Sequence, residues 1–322
     1  MAFHCYLLKS GLLASVSVGA ALLQMYSKYD QVGLARNVFD HLNNKDVIAW
    51  SAMILAYAQS GQPFKSVDAF KEMLLMNEKL NPFTFVSLLQ ASSLMASQEL
   101  GQSIHGYAIK VGYSLNAYLI SGLIDLYCKF GKVKQGKVLF DEIPVKDVTC
   151  WGVMINGYGL NGCGMEALET FSTMLEHGMK PNDVVFLSLL SACSQCGLEY
   201  EGWNWFYSMK EKYRITPKLA HYACMVDLLS HQGNTTEALN FVNEMPVETD
   251  KRIWGSLLAS YRSTRGSINI AEFAVERLTT LDPQNSSNYY KILLDLYTDE
   301  HRWEAVERLR RLMDENALMN IA

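Results

Sequence analysis

Proline is scarce in this sequence, at 7 in 322 residues, and there is no low-complexity or linker-like stretch. A string of domains on disordered tethers is thereby excluded. Apolar and polar residues do not alternate with period two over useful lengths, so strand signals are missing as well. A surplus of basic charge is also absent: 28 Lys and Arg stand against 33 Asp and Glu, for a formal net charge of −5. The electrostatic footprint of a nucleic-acid binder is therefore lacking at whole-chain level, although local basic spots are not excluded. The seven cysteines are Cys5, Cys128, Cys150, Cys163, Cys193, Cys196 and Cys224. An odd count scattered over helical stretches reads as free thiols in a reducing compartment, not as a disulfide framework. No phosphate-binding P-loop, G-x-S-x-G elbow or H-E-x-x-H metal site occurs.

What is present is an echo at 101 residues. It places His4 on His105, Lys9 on Lys110, Tyr26 on Tyr127, Lys28 on Lys129, Phe39 on Phe140, Asp46 on Asp147 and Trp50 on Trp151. Repetition on this scale points to stacked supersecondary units instead of one closed core. Shorter apolar runs begin near Val16, Val47, Pro82, Ala117, Val148, Asp183, Leu219, Lys251 and Asn285, and the first three spacings, 31, 35 and 35, make up the echo. Each unit reads as two helices. In residues 47–81, Ile48, Met53, Ile54, Tyr57 and Ala58 share a helical spacing. Gly61 then stops the helix, Pro63 opens the next, and Val67, Phe70, Met73 and Leu74 line its face. One such hairpin cannot bury both apolar faces, so about three or more must stack.

Residues 10–27 carry no charge and could pass for a signal-peptide core or a poor membrane span. The echo instead maps them onto residues 111–128, inside the array, and no membrane association is expected. The chain begins in mid-unit, with residues 1–15 read as the second helix of a truncated repeat, so any targeting segment is expected upstream.

The strings "GAALLQMYSKYDQVGLARNVFDHLNNKD", "VIAWSAMILAYAQSG", "FTFVSLLQASSLMASQELGQSIHGYAIKVG", "SGLIDLYCKFGKVKQGKVLFDEIPVKD" and "VTCWGVMINGYGLNG" carry a family resemblance. With the 31, 35, 35 cycle they resemble the pentatricopeptide-repeat proteins of plants, in the subclass that alternates short, standard and long repeats. The resemblance implies an all-α, right-handed superhelical solenoid. Its repeats would span 16–46, 47–81, 82–116, 117–147, 148–182, 183–218 and 219–250, followed by two extension motifs over 251–318 and a tail at 319–322. It also implies binding of single-stranded RNA in a mitochondrion or chloroplast. The role would be site recognition for cytidine-to-uridine editing or other RNA processing. The alternative is a helical-repeat scaffold for proteins with little RNA affinity, which the acidic balance favours.

In that family the fifth and last residues of a repeat read one base. Carried over by position, the pairs are Ala20 with Asp46, Ser51 with Asn81, Val86 with Asn116, Ser121 with Asp147, Gly152 with Asn182, Leu187 with Lys218 and Ala223 with Asp250. Ser51 with Asn81 suits adenine, because hydroxyl and amide together offer a donor and an acceptor. Ser121 with Asp147 suits guanine, because a carboxylate accepts from its two N–H donors. Ala20, Gly152 and Ala223 lack a hydrogen-bonding side chain. The second residues would stack on the bases, Ile48 and Phe83 around one, Tyr118 and Thr149 around the other, at about 1–3 kcal/mol per aromatic contact. Lys28 and Lys129 fall where the family faces phosphate. The plainer readings are helix capping for Asn81, Asp147 and Asn182, and favourable helix-dipole charges for the two lysines.

Catalysis is not expected. Cytidine deamination needs H-x-E with P-C-x-x-C, and no histidine here is followed by x-Glu, so a trans-acting deaminase or editing cofactor protein would bind through 251–318. No cofactor or small-molecule substrate is expected. Cys193, Cys196, His221 and Cys224 hint at zinc by spacing. Their register instead separates the two pairs by about eight residues, roughly 12 Å, and no metal is expected. Trp254 and Trp303, at helical spacing with Leu257, Leu258, Val306 and Leu309, are read as core. Glu304, Glu307, Arg308, Arg310 and Arg311 form a charged face near the end, read as solvated or as a docking surface.

Overall fold

The computed structural model describes residues 16–114, 116–264 and 268–319. Among them are eighteen α-helices and one 3-10 turn, with no strand. The expected truncated repeat at 1–15 lies outside the described residues. The chain divides into two compact units, Met1–Asn161 and Gly162–Ala322.

The first unit holds α1 (Val16–Lys28), α2 (Val32–Asp40), α3 (Val47–Gln59), α4 (Pro63–Leu75), α5 (Pro82–Leu94), α6 (Gln98–Lys110), α7 (Ala117–Lys129), α8 (Val133–Glu142) and α9 (Val148–Leu160). The odd-numbered helices lie side by side, α1 on α3, α3 on α5, α5 on α7 and α7 on α9. Each even-numbered helix packs on its own partner and on the next odd one. This layering explains two compositions. An odd helix is enclosed on three sides and buries residues all round, as α3 does from Ala49 to Met53 and on through Ile54, Ala56, Tyr57 and Ala58. An even helix is covered on one side, so α4 buries only Ser66, Ala69 and Met73. Close approach also demands small residues. A Cβ on Gly157 of α9 would meet Cys128 Sγ of α7.

The 101-residue echo is a repeated joint. Phe39 meets Trp50 edge-on at 4.7 Å, and Phe140 meets Trp151 edge-on at 5.0 Å. Each phenylalanine also lies beneath two cations, Arg36 and Lys45 at 5.5 and 5.4 Å, Lys137 and Lys146 at 5.9 and 5.0 Å. The cations are themselves held, Arg36 by Asp40 and Lys137 by Asp141, Lys45 by the Leu42 carbonyl and Lys146 by the Ile143 carbonyl. Cation–π contacts of this half-exposed kind contribute roughly 0.5–1 kcal/mol each. Burying the ring contributes about 1.5–3 kcal/mol.

The second unit holds α10 (Gly164–Glu176), α11 (Asp183–Cys196), α12 (Glu199–Glu211), α13 (Leu219–His231), α14 (Thr235–Glu244), α15 (Lys251–Thr264), α16 (Ile268–Leu281), a 3-10 turn (Pro283–Asn285), α17 (Ser286–Asp299) and α18 (Trp303–Met319). Here α11, α13 and α15 continue side by side, while α17 packs on α16 and α18. Phe206, Tyr222 and Met225 form one core cluster, and Trp254, Leu257, Leu278, Leu296 and Val306 belong to another. Trp254 is core as expected and bonds Thr249 Oγ1 at 2.9 Å through its indole N–H. Trp303 is not core: it is 58% exposed. It is the first residue of α18, and side chains lean toward a helix's N-terminus, so its ring overhangs the end of the helix and sits by His301.

Where the residues after a first helix are described, a left-handed residue follows it, which is glycine at Gly61, Gly131, Gly162, Gly197 and Gly233. Ala96, at φ +49°, holds the equivalent place after α5 with a Cβ in the way. Left-handed backbone costs a β-carbon residue roughly 1–2 kcal/mol. Ala96→Gly is therefore expected to raise the denaturation midpoint, measured by circular dichroism in urea. In the same unit His105 of α6 bonds the Tyr127 hydroxyl through Nδ1 at 2.9 Å, and burial pushes its pKa down. The unfolded chain then binds the proton more readily, so this component of stability is present at neutral pH and is lost as pH falls below about 6.5. His105→Gln should flatten the acid side of the stability–pH curve for the same melt.

Candidate functional site

The first helices of the first unit leave little exposed except their two ends. Their starts share one construction. Asp46 Oδ1 accepts from the N–H groups of Ile48 and Ala49 at 3.1 and 2.9 Å. Asn81, Asn116 and Asp147 each accept from the N–H three residues on, Thr84, Leu119 and Cys150, at 2.8, 3.0 and 2.8 Å. In the second unit Asn182 does the same to Val185 at 2.9 Å. These side chains are helix caps, each satisfying an otherwise orphaned donor. The oxygen used for capping leaves the other polar atom of each side chain over. For Asn81 and Asn116 that atom is the amide nitrogen, a donor; for Asp46 and Asp147 it is a second acceptor oxygen.

Two residues after each of the caps Asp46, Asn81, Asn116 and Asp147 stands an uncovered side chain. Ile48 is 55% and Tyr118 50% exposed, and Phe83 and Thr149 are exposed as well. The Phe83 and Tyr118 rings are 6.3 Å apart and within 5° of parallel. A row of flat or branched apolar groups alternating with hydrogen-bonding caps can stack on planar ligands and read their edges.

The fifth-position residues lie deeper. Ser51 is 1% and Ser121 7% exposed. The structure nevertheless joins each to its expected partner through a side chain that the sequence reading passed over. Ser51 Oγ lies 2.5 Å from Thr84 Oγ1, which bonds Asn81 Oδ1 at 2.9 Å. Ser121 Oγ lies 3.1 Å from Cys150 Sγ and donates to the Ala117 carbonyl at 2.9 Å, while the Cys150 N–H bonds Asp147. Burial pushes the Cys150 thiol up, so it stays protonated. Thr84 and Cys150 are both the third residue of the following unit, and only spacing relative to the caps could have found them. Val86 is half-buried beside Gly122 and brings no polar atom.

Lys28 and Lys129 are exposed last residues of α1 and α7, and Lys129 Nζ pairs with Asp125 at 2.7 Å. Gln59, Leu94 and Leu160 end the other three first helices of this unit. In the second unit Lys218, in the cap position, reaches back to the Asp183 carboxylate and depresses its pKa. His221 accepts from the Lys218 N–H at Nδ1 (3.0 Å), so Nε2 carries the proton and donates to the Asp183 carbonyl (2.8 Å). Both ring nitrogens are thus in use. Burial drives the thiols of Cys193 and Cys224 up to about 12. These residues are packing and capping groups, and among the described residues no three His, Cys, Asp or Glu side chains gather as metal ligands. No helix described is long and apolar enough to cross a membrane.

Comparisons with known proteins follow the same segments. Residues 48–77, 121–148, 184–213 and 220–248 match the PPR repeat, residues 146–195 match the PPR repeat family, and residues 266–321 match the E motif. In Arabidopsis thaliana the pentatricopeptide repeat-containing protein At3g26782, mitochondrial, is 37% identical over 98% of this chain and 48% of its own length. The pentatricopeptide repeat-containing protein CRR2, chloroplastic, is 37% identical over 99% of this chain and 48% of its own length. The chain therefore spans about half the length of the curated relatives it matches. Among solved structures, the pentatricopeptide repeat protein PPR10 in complex with an 18-nt psaJ RNA element superposes with a TM-score of 0.66 at 16% identity, over 98% of this chain and 48% of that one. That likeness gives the fold, a stack of paired helices.

Capping and exposure separate two roles on residues two apart, and stability can tell them apart. Asp46→Ala should cost about 1 kcal/mol through the lost cap. Ile48→Ala should stay within about 0.5 kcal/mol of the parent. Both are read as shifts in urea midpoint.

Proposed function

The chain belongs to the pentatricopeptide-repeat family, and from that premise we propose that it binds single-stranded RNA base by base in a mitochondrion or chloroplast. Its role is site recognition for cytidine-to-uridine editing or another RNA-processing step. The observation that carries this reading is the row of uncovered second residues Ile48, Phe83, Tyr118 and Thr149, each beside a cap with a spare polar atom. Bases stack on the former, and the caps Asp46, Asn81, Asn116, Asp147 and Asn182 face their edges. Ser51 with Asn81 selects adenine, Ser121 with Asp147 guanine, and Lys28 and Lys129 face phosphate. Relatives whose names place them in those two organelles, and a structurally similar protein bound to RNA, support the assignment.

Charge divides the labour. Residues 1–161 hold thirteen Lys and Arg against eleven Asp and Glu, whereas residues 162–322 hold fifteen against twenty-two. RNA affinity therefore resides mainly in the first unit. The acidic second unit suits a protein partner, a deaminase or editing cofactor protein bound through residues 251–318, which supplies the chemistry in trans. The exposed Trp303 and the charged face of Glu304, Glu307, Arg308, Arg310 and Arg311 lie in that segment.

A gel-shift panel of short RNAs, varied at the two bases read by residues 47–81 and 117–147, tests the proposal. Adenine and guanine are expected at those bases, two positions apart, and Asp147→Asn should move the second preference from guanine toward adenine. With about two phosphate contacts, log Kd against log salt should have a slope of magnitude near 1.4. Equal binding of every RNA would leave the protein-scaffold reading in its place.

A further inference from the structure

We infer that Cys163 and Cys196 are a redox-active pair, two thiols placed so that a small-molecule disulfide oxidises them to one bridge between the start of α10 and the end of α11. The inference concerns a modification site in the second unit and does not depend on how bases are read.

The two cysteines are 33 residues apart, and a glycine brings them together. Cys163 is the residue before α10, and Cys196 is the last residue of α11. A Cβ on Gly164 would stand 2.7 Å from Cys196 Cβ and 3.0 Å from its Sγ, so the start of α10 reaches the end of α11 only because Gly164 has no side chain. The Gly164 N–H bonds the Cys196 sulfur. Cys163 is joined to that same nitrogen by a trans peptide, with adjacent Cα atoms about 3.8 Å apart. Its β-carbon is thus within a side chain's reach of Cys196, and each thiol is near enough for the charge of one to act on the other. A disulfide needs this closeness.

The ends of other first helices are already tied to a neighbour, by side-chain amides. Asn161 Nδ2 donates to the Cys128 carbonyl at 2.9 Å, and Gln232 Nε2 donates to the Gly197 carbonyl at 2.9 Å. At Cys196 the tie would be covalent and reversible.

Among the described residues the other thiols are poorer reactants. Cys128, Cys150 and Cys193 are buried, and burial drives Cys193 and Cys224 up to about 12, whereas the attacking species is the thiolate. Cys163 and Cys196 are both partly exposed. Burial raises the Cys196 pKa, which slows it as the first attacker, and the Gly164 N–H offsets part of that rise. Cys163 therefore opens the exchange. Its thiolate attacks one sulfur of the small disulfide, forms a mixed disulfide and expels one small thiolate. The Cys196 thiolate then attacks the Cys163 sulfur, closes the bridge and expels the second. The two protein thiols lose two electrons and two protons, and one small disulfide becomes two small thiols.

The test equilibrates the chain with oxidised and reduced glutathione in stepped ratios, alkylates the remaining thiols, and reads intact mass and a non-reducing peptide map. The oxidised parent is expected to contain a peptide pair joined at Cys163 and Cys196, with two fewer alkylated thiols, and dithiothreitol should restore both. Cys163→Ser should leave Cys196 unbridged, and Cys193→Ser should leave the bridge intact. If circular dichroism shows that a serine variant does not fold, the parent's map decides alone. Glutathione retained on Cys163 or Cys196, a bridge from either to another cysteine or another chain, or alkylation of both at every ratio would overturn the pair.

Discussion

Enclosure of the first helix of each pair on three sides is the constraint from which the other features follow. A helix so placed cannot be amphipathic, because nearly every direction it faces is protein. Its apolar content is consequently high, as in α3 and α7, and its partners α4 and α8 carry the polar residues. Only the helix ends escape burial. Exposed side chains of these helices are thus concentrated at the cap, the second residue after it and the last residue.

Under the proposed function, capping residues have a double use. A helix start needs an acceptor for its amide groups, and Asn81, Asn116 and Asp147 meet that need with one atom. Asparagine and aspartate are equally able caps, so exchanging one for the other is nearly free in stability while it inverts what the remaining atom offers a ligand. On that proposal, selectivity varies from repeat to repeat while the capping stays constant. Lys218 departs from the pattern: it commits its charge to Asp183 and its N–H to His221, which ties the starts of α11 and α13 to each other.

Much of this was legible in the sequence because a repeat reports its own period. The spacing of apolar runs marks where helices begin, and the echo of Phe39, Trp50, Phe140 and Trp151 becomes two copies of one aromatic joint. The two readings of Asn81 and Asp147, cap or ligand contact, were both visible, and the structure places the cap. Other features needed three dimensions. The burial of Ser51 and its link through Thr84 arise between residues 33 apart, and periodicity carries no such pairing. Trp303 shares a helical spacing with Val306, yet at the very start of a helix its ring overhangs the helix end beside His301, and spacing alone does not register that position. His221 and the cysteines resemble ligands in spacing and serve as packing and capping groups, because spacing does not reveal which atoms are already spent.

The doubly clamped Phe39 and Phe140 have a mechanical consequence. Each ring is pinned by an indole edge on one side and by two tethered cations, so bending there must break several contacts at once. In the hairpin of α5 and α6 between them, Phe85 meets Tyr107 and Tyr113 at 6.1 and 5.9 Å, and the turn carries the left-handed Ala96. Within the first unit, the two joints that resist bending most thus stand 101 residues apart, with the α5 and α6 hairpin between them.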